Sequence, residues 1–461
     1  MTEIFFGLAS LAPVALAGCL LLLALDWDNV LQPLERLVLG YAMGSGILAW
    51  EMLVYQAAGV SFSALKLFLP LLVVSAVIFR LVKRADLREH RPALCRKASF
   101  DHVEWFLIAA IALAACGALL RASLLPMEAY DAVSNWGLKA KAIFLAGRIP
   151  EGFLQNPNYE VFHPDYPLLV PLLESYIYSF VGGLREGSAK VVFPLFLAGC
   201  CIVLFASLTR AGQSRRSSLL FSFLLVSIPY FAEQATNGYA DVAIGFYFGA
   251  GSLYLYLWQT TGKSIFLPLS ALCSGFAALT KNEGELLAGF HLIWLMGVLI
   301  LRPCGSGFRA RALGLYAGIL AGILMPWYLF KVSLGLRNDV LNRDVLKAGL
   351  DWSHLNRLGP IAYQLQTQVF GPKNWNLIWI VLGAAAIWRR KVLFRPPVVF
   401  MTGLIGLTVS AYMSVYLITP YTIPPFDVAW HLRTSASRLL VHVLPHVVFV
   451  VGLAFGETED A

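Results

Sequence analysis

Long, nearly uncharged runs constrain this chain more than any other feature; they occupy residues 5–25, 37–60, 104–122, 188–208, 312–330 and 398–418. Each can cross a bilayer core as a helix, which takes roughly 20 apolar residues. Inside lipid every backbone N–H and C=O must be satisfied internally, so runs of this length predict an all-α polytopic membrane protein. Composition agrees. Of 461 residues, 58% are hydrophobic and only 13% are charged, too few charges to cover a soluble protein of this size.

The pattern extends to about thirteen spanning segments. Their expected extents are 5–25, 37–60, 62–82, 104–122, 188–208, 217–233, 241–258, 264–280, 285–301, 312–332, 376–390, 398–418 and 438–455. The first starts within five residues of Met1 without a basic leader and reads as a retained helix rather than a cleaved signal. The cysteines, Cys19, Cys95, Cys116, Cys200, Cys201, Cys273 and Cys304, all fall outside the polar loops 123–165 and 333–375. They show no CxxC or Cys/His ligand spacing, so neither a disulfide framework nor a structural zinc site is expected.

The net charge of +8 sits in short loops between helices, where it sets orientation and gives no reason to expect nucleic-acid binding. Four clusters stand out: Lys83, Arg84, Arg88, Arg91, Arg96 and Lys97; Arg210, Arg215 and Arg216; Arg302, Arg309 and Arg311; and Arg389, Arg390, Lys391 and Arg395. All four share the cytoplasmic face only if the helical segment 167–183 does not span. That segment is short, contains Pro171 and Glu174, and ends at Gly182-Gly183, as a helix lying on or dipping into the interface would. Loops 123–187, 234–240, 281–284, 333–375 and 419–437 then share the non-cytoplasmic face.

Those loops hold the candidate chemistry. A helix over 131–145 places Asp131, Asn135 and Lys139 on one face, toward water or a cavity. Val133, Trp136, Ala140, Ile143 and Phe144 line the other, as in an interfacial helix with a Trp anchor. Asp131 stands equally well as a first-turn acid favoured by the helix dipole. His163 and Asp165, in the stretch HPDYPLLVP, are either the ends of a Pro-rich turn or ligands for a divalent metal. Asn237 and Asp241 open a later helix, and an acid at membrane depth points to function unless it only serves the helix end. Lys281, Glu283 and Glu285 follow at the next corner, where they neutralise one another or place a phosphate. Arg433 and Arg438 flank the last helix, as phosphate clamps or as snorkelling side chains.

Taken in order, these motifs resemble those of the GT-C fold glycosyltransferases, which use polyprenyl- or dolichyl-phosphate sugars. Protein O-mannosyltransferases, the lipid A aminoarabinose transferase and the bacterial enzymes that modify lipopolysaccharide cores are of this kind. The similarity lies in Asp131 within EAYDAVSNWGLKAKAIF, in HPDYPLLVP, in Asp241 within NGYAD, in Thr280-Lys281, in Met325-Pro326-Trp327-Tyr328, and in Arg433 and Arg438. It covers roughly 104–440. The aminoarabinose transferase type has Glu-Lys-Pro-Pro where this chain has His163-Pro164-Asp165-Tyr166-Pro167, so the lysine of that motif is missing here. The resemblance implies N-terminal helices and a basic loop over 1–103, followed by a GT-C-like core over 104–461 with interfacial helices in its first large external loop.

It also implies inverting transfer from a polyprenyl-phosphate sugar to a glycan, lipid or protein acceptor. The site would face the periplasm or exterior, in a bacterial inner membrane. Asp131 would be the general base, and Asp241 would orient the sugar or the base. Glu128, Asn135, Lys139, His163, Asp165, Tyr166, Asn237, Lys281, Glu283, Arg433 and Arg438 would bind substrate. Loop 333–375, with Trp352, His354 and Trp375, would cap the site. A lipid-linked sugar flippase and a non-catalytic carrier-binding subunit remain rival expectations; the absence of internal repeats disfavours the flippase.

Overall fold

The computed structural model describes residues 1–84, 100–303, 305–338, 347, 352–419 and 425–458. Arg88, Arg91, Arg96, Lys97, Cys95 and Cys304 lie outside the described residues, as does the side chain of Trp352. Helices form at all thirteen places where a span is expected. In chain order the main ones are α1 (Thr2–Leu25), α2 (Pro33–Ala57), α3 (Ala64–Arg84), α4 (His102–Leu124), α5 (Leu138–Ala146) and α6 (Leu169–Val181). Next come α7 (Val192–Arg210), α8 (Arg215–Val226), α9 (Asp241–Thr261), α10 (Phe266–Ala278), α11 (Asn282–Leu301) and α12 (Ser306–Ser333). The chain closes with α13 (Leu358–Val369), α14 (Ile378–Trp388), α15 (Pro396–Ile418), α16 (Val428–Val441) and α17 (Leu444–Phe455).

Among the described residues seven helices are long and apolar enough to cross a membrane, or eight if the bent pair α16–α17 counts as one. Several expected spans are shorter for local reasons. Pro229 interrupts α8, because proline cannot donate to the preceding turn, and a short helix Pro229–Gln234 carries the chain on. Pro445 likewise marks the break between α16 and α17, whose axes differ by 51°.

The first three helices belong to the same hydrophobic core as the rest. Helices α1 and α2 approach so closely at Gly40 and Gly44 that a Cβ on either would overlap α1. Small residues allow such backbone contact in membrane bundles. Tyr41 donates to the Val192 carbonyl (3.0 Å), and Trp50 donates through Nε1 to the Gly322 carbonyl (2.9 Å). Gln56 pairs with both backbone groups of Ile149, and Phe62 N–H donates to the Gly147 carbonyl (2.6 Å). α2 and the turn after it therefore hold the end of α5.

The described arginines of the basic clusters, Arg210, Arg215, Arg302 and Arg389, gather at one end of the bundle. Arg210 meets Glu35 through two contacts (2.8 and 2.6 Å), and Arg215 meets Glu104 likewise (2.6 and 2.7 Å). Arg389 lies over Phe455 and Arg302 over Trp258 (5.8 and 5.9 Å). The start of α1 is at the other end, where Glu3 binds Ser188 and Arg185. Helix α6 begins and finishes at that second end. Its Leu169 N–H donates to the Leu279 carbonyl beside the α10–α11 corner, and its far end runs into Arg185. With 13 residues it rises only about 20 Å. It is enclosed by protein from Leu169 to Tyr178 instead of lying against lipid.

The expected amphipathic helix over 131–145 is also turned inward. Ala132–Gly137 forms a π-turn, which widens the helix and rotates its faces, before α5 starts. Asn135 and Lys139 are each 2% exposed, and Trp136, expected as an interface anchor, is wholly buried. Tyr166 packs on Trp136, and the Lys139 ammonium, 5.8 Å from each ring, donates to the His163 carbonyl at 2.6 Å.

In the bundle interior a polar chain crosses five helices. His446 bonds Ser252 and Ser252 bonds His291, each at 2.6 Å; His291 bonds Ser274 (2.6 Å), which meets Tyr316 (2.7 Å). Each side chain of this network thereby bonds at least one partner on a neighbouring helix.

Candidate active site

At the end opposite the basic residues, the tight turn before α9 sets the site's centre. Asn237 accepts the Tyr239 N–H through its side chain (2.9 Å), and Gly238 adopts a φ of +90°. A Cβ at Gly238 would press on Ala132 at 3.0 Å, so glycine lets the start of α9 lie against the segment after Asp131. Asp241 then enters the first turn of α9 fully buried, where the helix dipole favours an acid.

Three donors converge on the Asp241 carboxylate. Oδ1 accepts from Lys281 Nζ (2.9 Å) and from His442 Nε2 (3.0 Å); Oδ2 accepts from Arg438 Nε (2.9 Å). Since a carboxylate only accepts, His442 Nε2 carries the proton. The other ring nitrogen, Nδ1, is 2.9 Å from the Tyr412 hydroxyl. Arg438 also ion-pairs through Nη1 with Asp131, and its guanidinium lies 4.3 Å over the Tyr239 ring. Lys281 completes the group by pairing with Glu283 (3.0 Å). Burial works to lower the Lys281 ammonium, but the Asp241 and Glu283 carboxylates outweigh it and hold it above its ordinary range. Three carboxylates thus face two permanent cations.

A second polar group lies alongside. Asp165 is buried and accepts from Asn282 Nδ2 (2.6 Å) and Asn338 Nδ2 (3.2 Å), with Lys331 at 4.0 Å. It ties the HPDYP stretch to the α10–α11 corner and to the chain leaving α12. Tyr166 bridges the two groups: His163 stacks on its ring (4.6 Å) and Lys281 lies 6.0 Å from it. Among the described residues no three His, Cys, Asp or Glu side chains gather as metal ligands. The amide N–H groups of Asn282 and Asn338 both donate to the same Asp165 oxygen, Oδ2.

Sequence reasoning singled out Asp131, Asp241, Lys281, Glu283 and Arg438 one by one, and the fold brings them together. Lys139, His163, Asp165 and Tyr166 form the adjoining wall, Asn135 is buried beside Trp136, and Asn237 shapes the turn. Glu128 and Arg433 are exposed and make no ion pair with the cluster among the described residues. His442, Tyr412, Tyr239, Asn282, Asn338 and Lys331 were not anticipated. One signal for His442 was available: a histidine inside the apolar run RLLVHVLPH, just before a helix-breaking proline.

No protein-family model matches the chain, and no curated protein matches it in sequence. Among solved structures it is similar to ArnT from Cupriavidus metallidurans bound to undecaprenyl phosphate, with a TM-score of 0.52 and 18% identity, over 77% of this chain and 60% of that one. The chain thus spans about 60% of the length of the structure it matches. At this identity the likeness is one of fold. The chain is an integral membrane protein with an all-α, GT-C-like architecture.

Proposed function

We propose that this protein is a glycosyltransferase that moves a sugar from a polyprenyl-phosphate carrier to an acceptor hydroxyl on the non-cytoplasmic face. The cluster joining Asp131, Arg438, Asp241 and Lys281 carries the reading. It puts one partly exposed carboxylate beside the buried Lys281 and the largely covered Arg438, at the bundle end away from the basic loops. A base for the acceptor and counter-charges for a phosphate leaving group are what such a transfer requires. The fold shared with a structure bound to undecaprenyl phosphate supports the donor class.

In this mechanism Asp131 accepts the proton of the acceptor hydroxyl. The oxygen attacks the anomeric carbon from the side opposite the phosphate, and the carbon–oxygen bond to phosphate breaks with its electron pair leaving on the phosphate. The sugar is inverted. Arg438 and Lys281 offset the charge that grows on the leaving oxygens. Asp241, which accepts from three donors, positions both cations and, through Arg438, the base, one of the two roles expected of it. The acceptor is a glycan, lipid or protein, the sugar a hexose or pentose, and the setting a bacterial inner membrane with the site toward the periplasm.

Membranes containing the protein, supplied with a panel of radiolabelled polyprenyl-phosphate sugars, test the reading. Label should pass from the carrier lipid to an acceptor fraction. Label that only crosses the bilayer, still attached to its carrier, would instead identify a flippase.

A further inference from the structure

We infer that Arg438 is the residue through which the donor phosphate releases Asp131 for catalysis, because phosphate and Asp131 compete for the same edge of its guanidinium. The inference rests on the glycosyltransferase reading above. A guanidinium grips a phosphate best through paired N–H groups. In Arg438, Nε is committed to Asp241, and the tip of the fork, where the two terminal nitrogens lie side by side, is engaged at Nη1 by Asp131. Tyr239 covers a face of the group at 4.3 Å. The other cation, Lys281, is held between Asp241 and Glu283.

Burial decides which contact gives way. The Asp241 side chain is 0% exposed and has three donors, whereas the Asp131 side chain is 22% exposed. Exchanging Asp131 for phosphate therefore strands the more solvent-exposed of the two carboxylates. Charge points the same way. A donor phosphate adds a negative charge to a cluster in which three carboxylates already face two cations. Displaced from Arg438, the Asp131 carboxylate has its Oδ2 free to accept the acceptor's proton. As that proton arrives Asp131 loses its charge, and the phosphate gains one when the carbon–oxygen bond breaks, so the cluster's total is unchanged through the step. The donor thus has to bind before the base can act, and a base held by Arg438 is not available without a donor.

Competition of this kind is reciprocal: removing the carboxylate must strengthen phosphate binding. The test is equilibrium binding of radiolabelled undecaprenyl phosphate to the purified full chain in lipid nanodiscs. The expected result is that Asp131→Asn binds about 5- to 150-fold more tightly than wild type. Asp131→Glu, which keeps the charge, should bind as wild type does. Arg438→Gln should remove the gain, so that adding Asp131→Asn to it changes nothing. Should Arg438→Gln fail to fold, the Asn and Glu variants at position 131 decide the matter on their own. Equal or weaker binding by a folded Asp131→Asn protein would overturn the exchange and leave the transferase reading standing, since wild type binds the carrier. No binding by wild type would overturn both.

Discussion

His442 Nε2 lies 3.0 Å from Asp241 Oδ1, and the same histidine ring reaches Tyr412 through its other nitrogen at 2.9 Å. The break between α16 and α17 makes this contact, because it sets His442 at the end of α16, one helical turn beyond Arg438. Asp241 is thereby fixed from behind while it holds Arg438 and Lys281 in front.

This relationship predicts that His442→Leu lowers kcat by about 10- to 100-fold, the range expected for losing one hydrogen bond to a charged group. His442→Gln, which can still donate to Asp241, should retain more of the rate, and Tyr412→Phe should lose less than His442→Leu. Steady-state kinetics on the three variants checks the order. A His442→Leu enzyme that is folded and fully active would show that Asp241 needs no support from this side.

Much of this was legible in the sequence, and the limits were physical. The apolar runs announced the bundle because lipid leaves a chain few options. Asp131, Asp241, Lys281 and Arg438 each stood out as charges at membrane depth, but only the fold joins residues separated by 307 positions in the chain. Arg433 and Arg438 looked equivalent, yet five residues along a helix turn a side chain about 140° away, so only one faces the site. Asn135 and Lys139 were placed with Asp131 on one face, toward water or a cavity, by an α-helical period, and the π-turn changed that period. His442 was passed over because a lone histidine in an apolar run does not reveal its partners, which lie on α9 and α15.

Asp165 holds the chain leaving α12 through Asn338, while Gln155 donates to the Leu334 carbonyl at 3.0 Å. Asp165→Ala should loosen that stretch. Limited proteolysis should show faster cutting just after α12 than in wild type, with other sites unchanged. Stability should fall by about 1–3 kcal/mol, the cost of leaving partly buried amide donors without this acceptor. Unchanged cutting would mean that Gln155 and packing alone secure the loop.

In the interior, Ser252 joins His446 to His291. Ser252→Ala should lower the thermal midpoint in detergent, by an amount matching about 0.6–1.7 kcal/mol, as for other hydrogen bonds between membrane helices. Carrier binding should stay unchanged, because the chain lies deeper in the bundle than Asp241. A loss of binding without a loss of stability would contradict the structural role given to it.

The central claim is that Asp131 is the base of a sugar transfer. Its most direct test compares transfer from polyprenyl-phosphate sugars in membranes carrying equal amounts of wild type and Asp131→Asn. The account predicts transfer by wild type and a loss of at least about 100-fold in the variant, the contribution expected of a positioned general base. Transfer by Asp131→Asn at the wild-type rate would contradict it and place the base elsewhere.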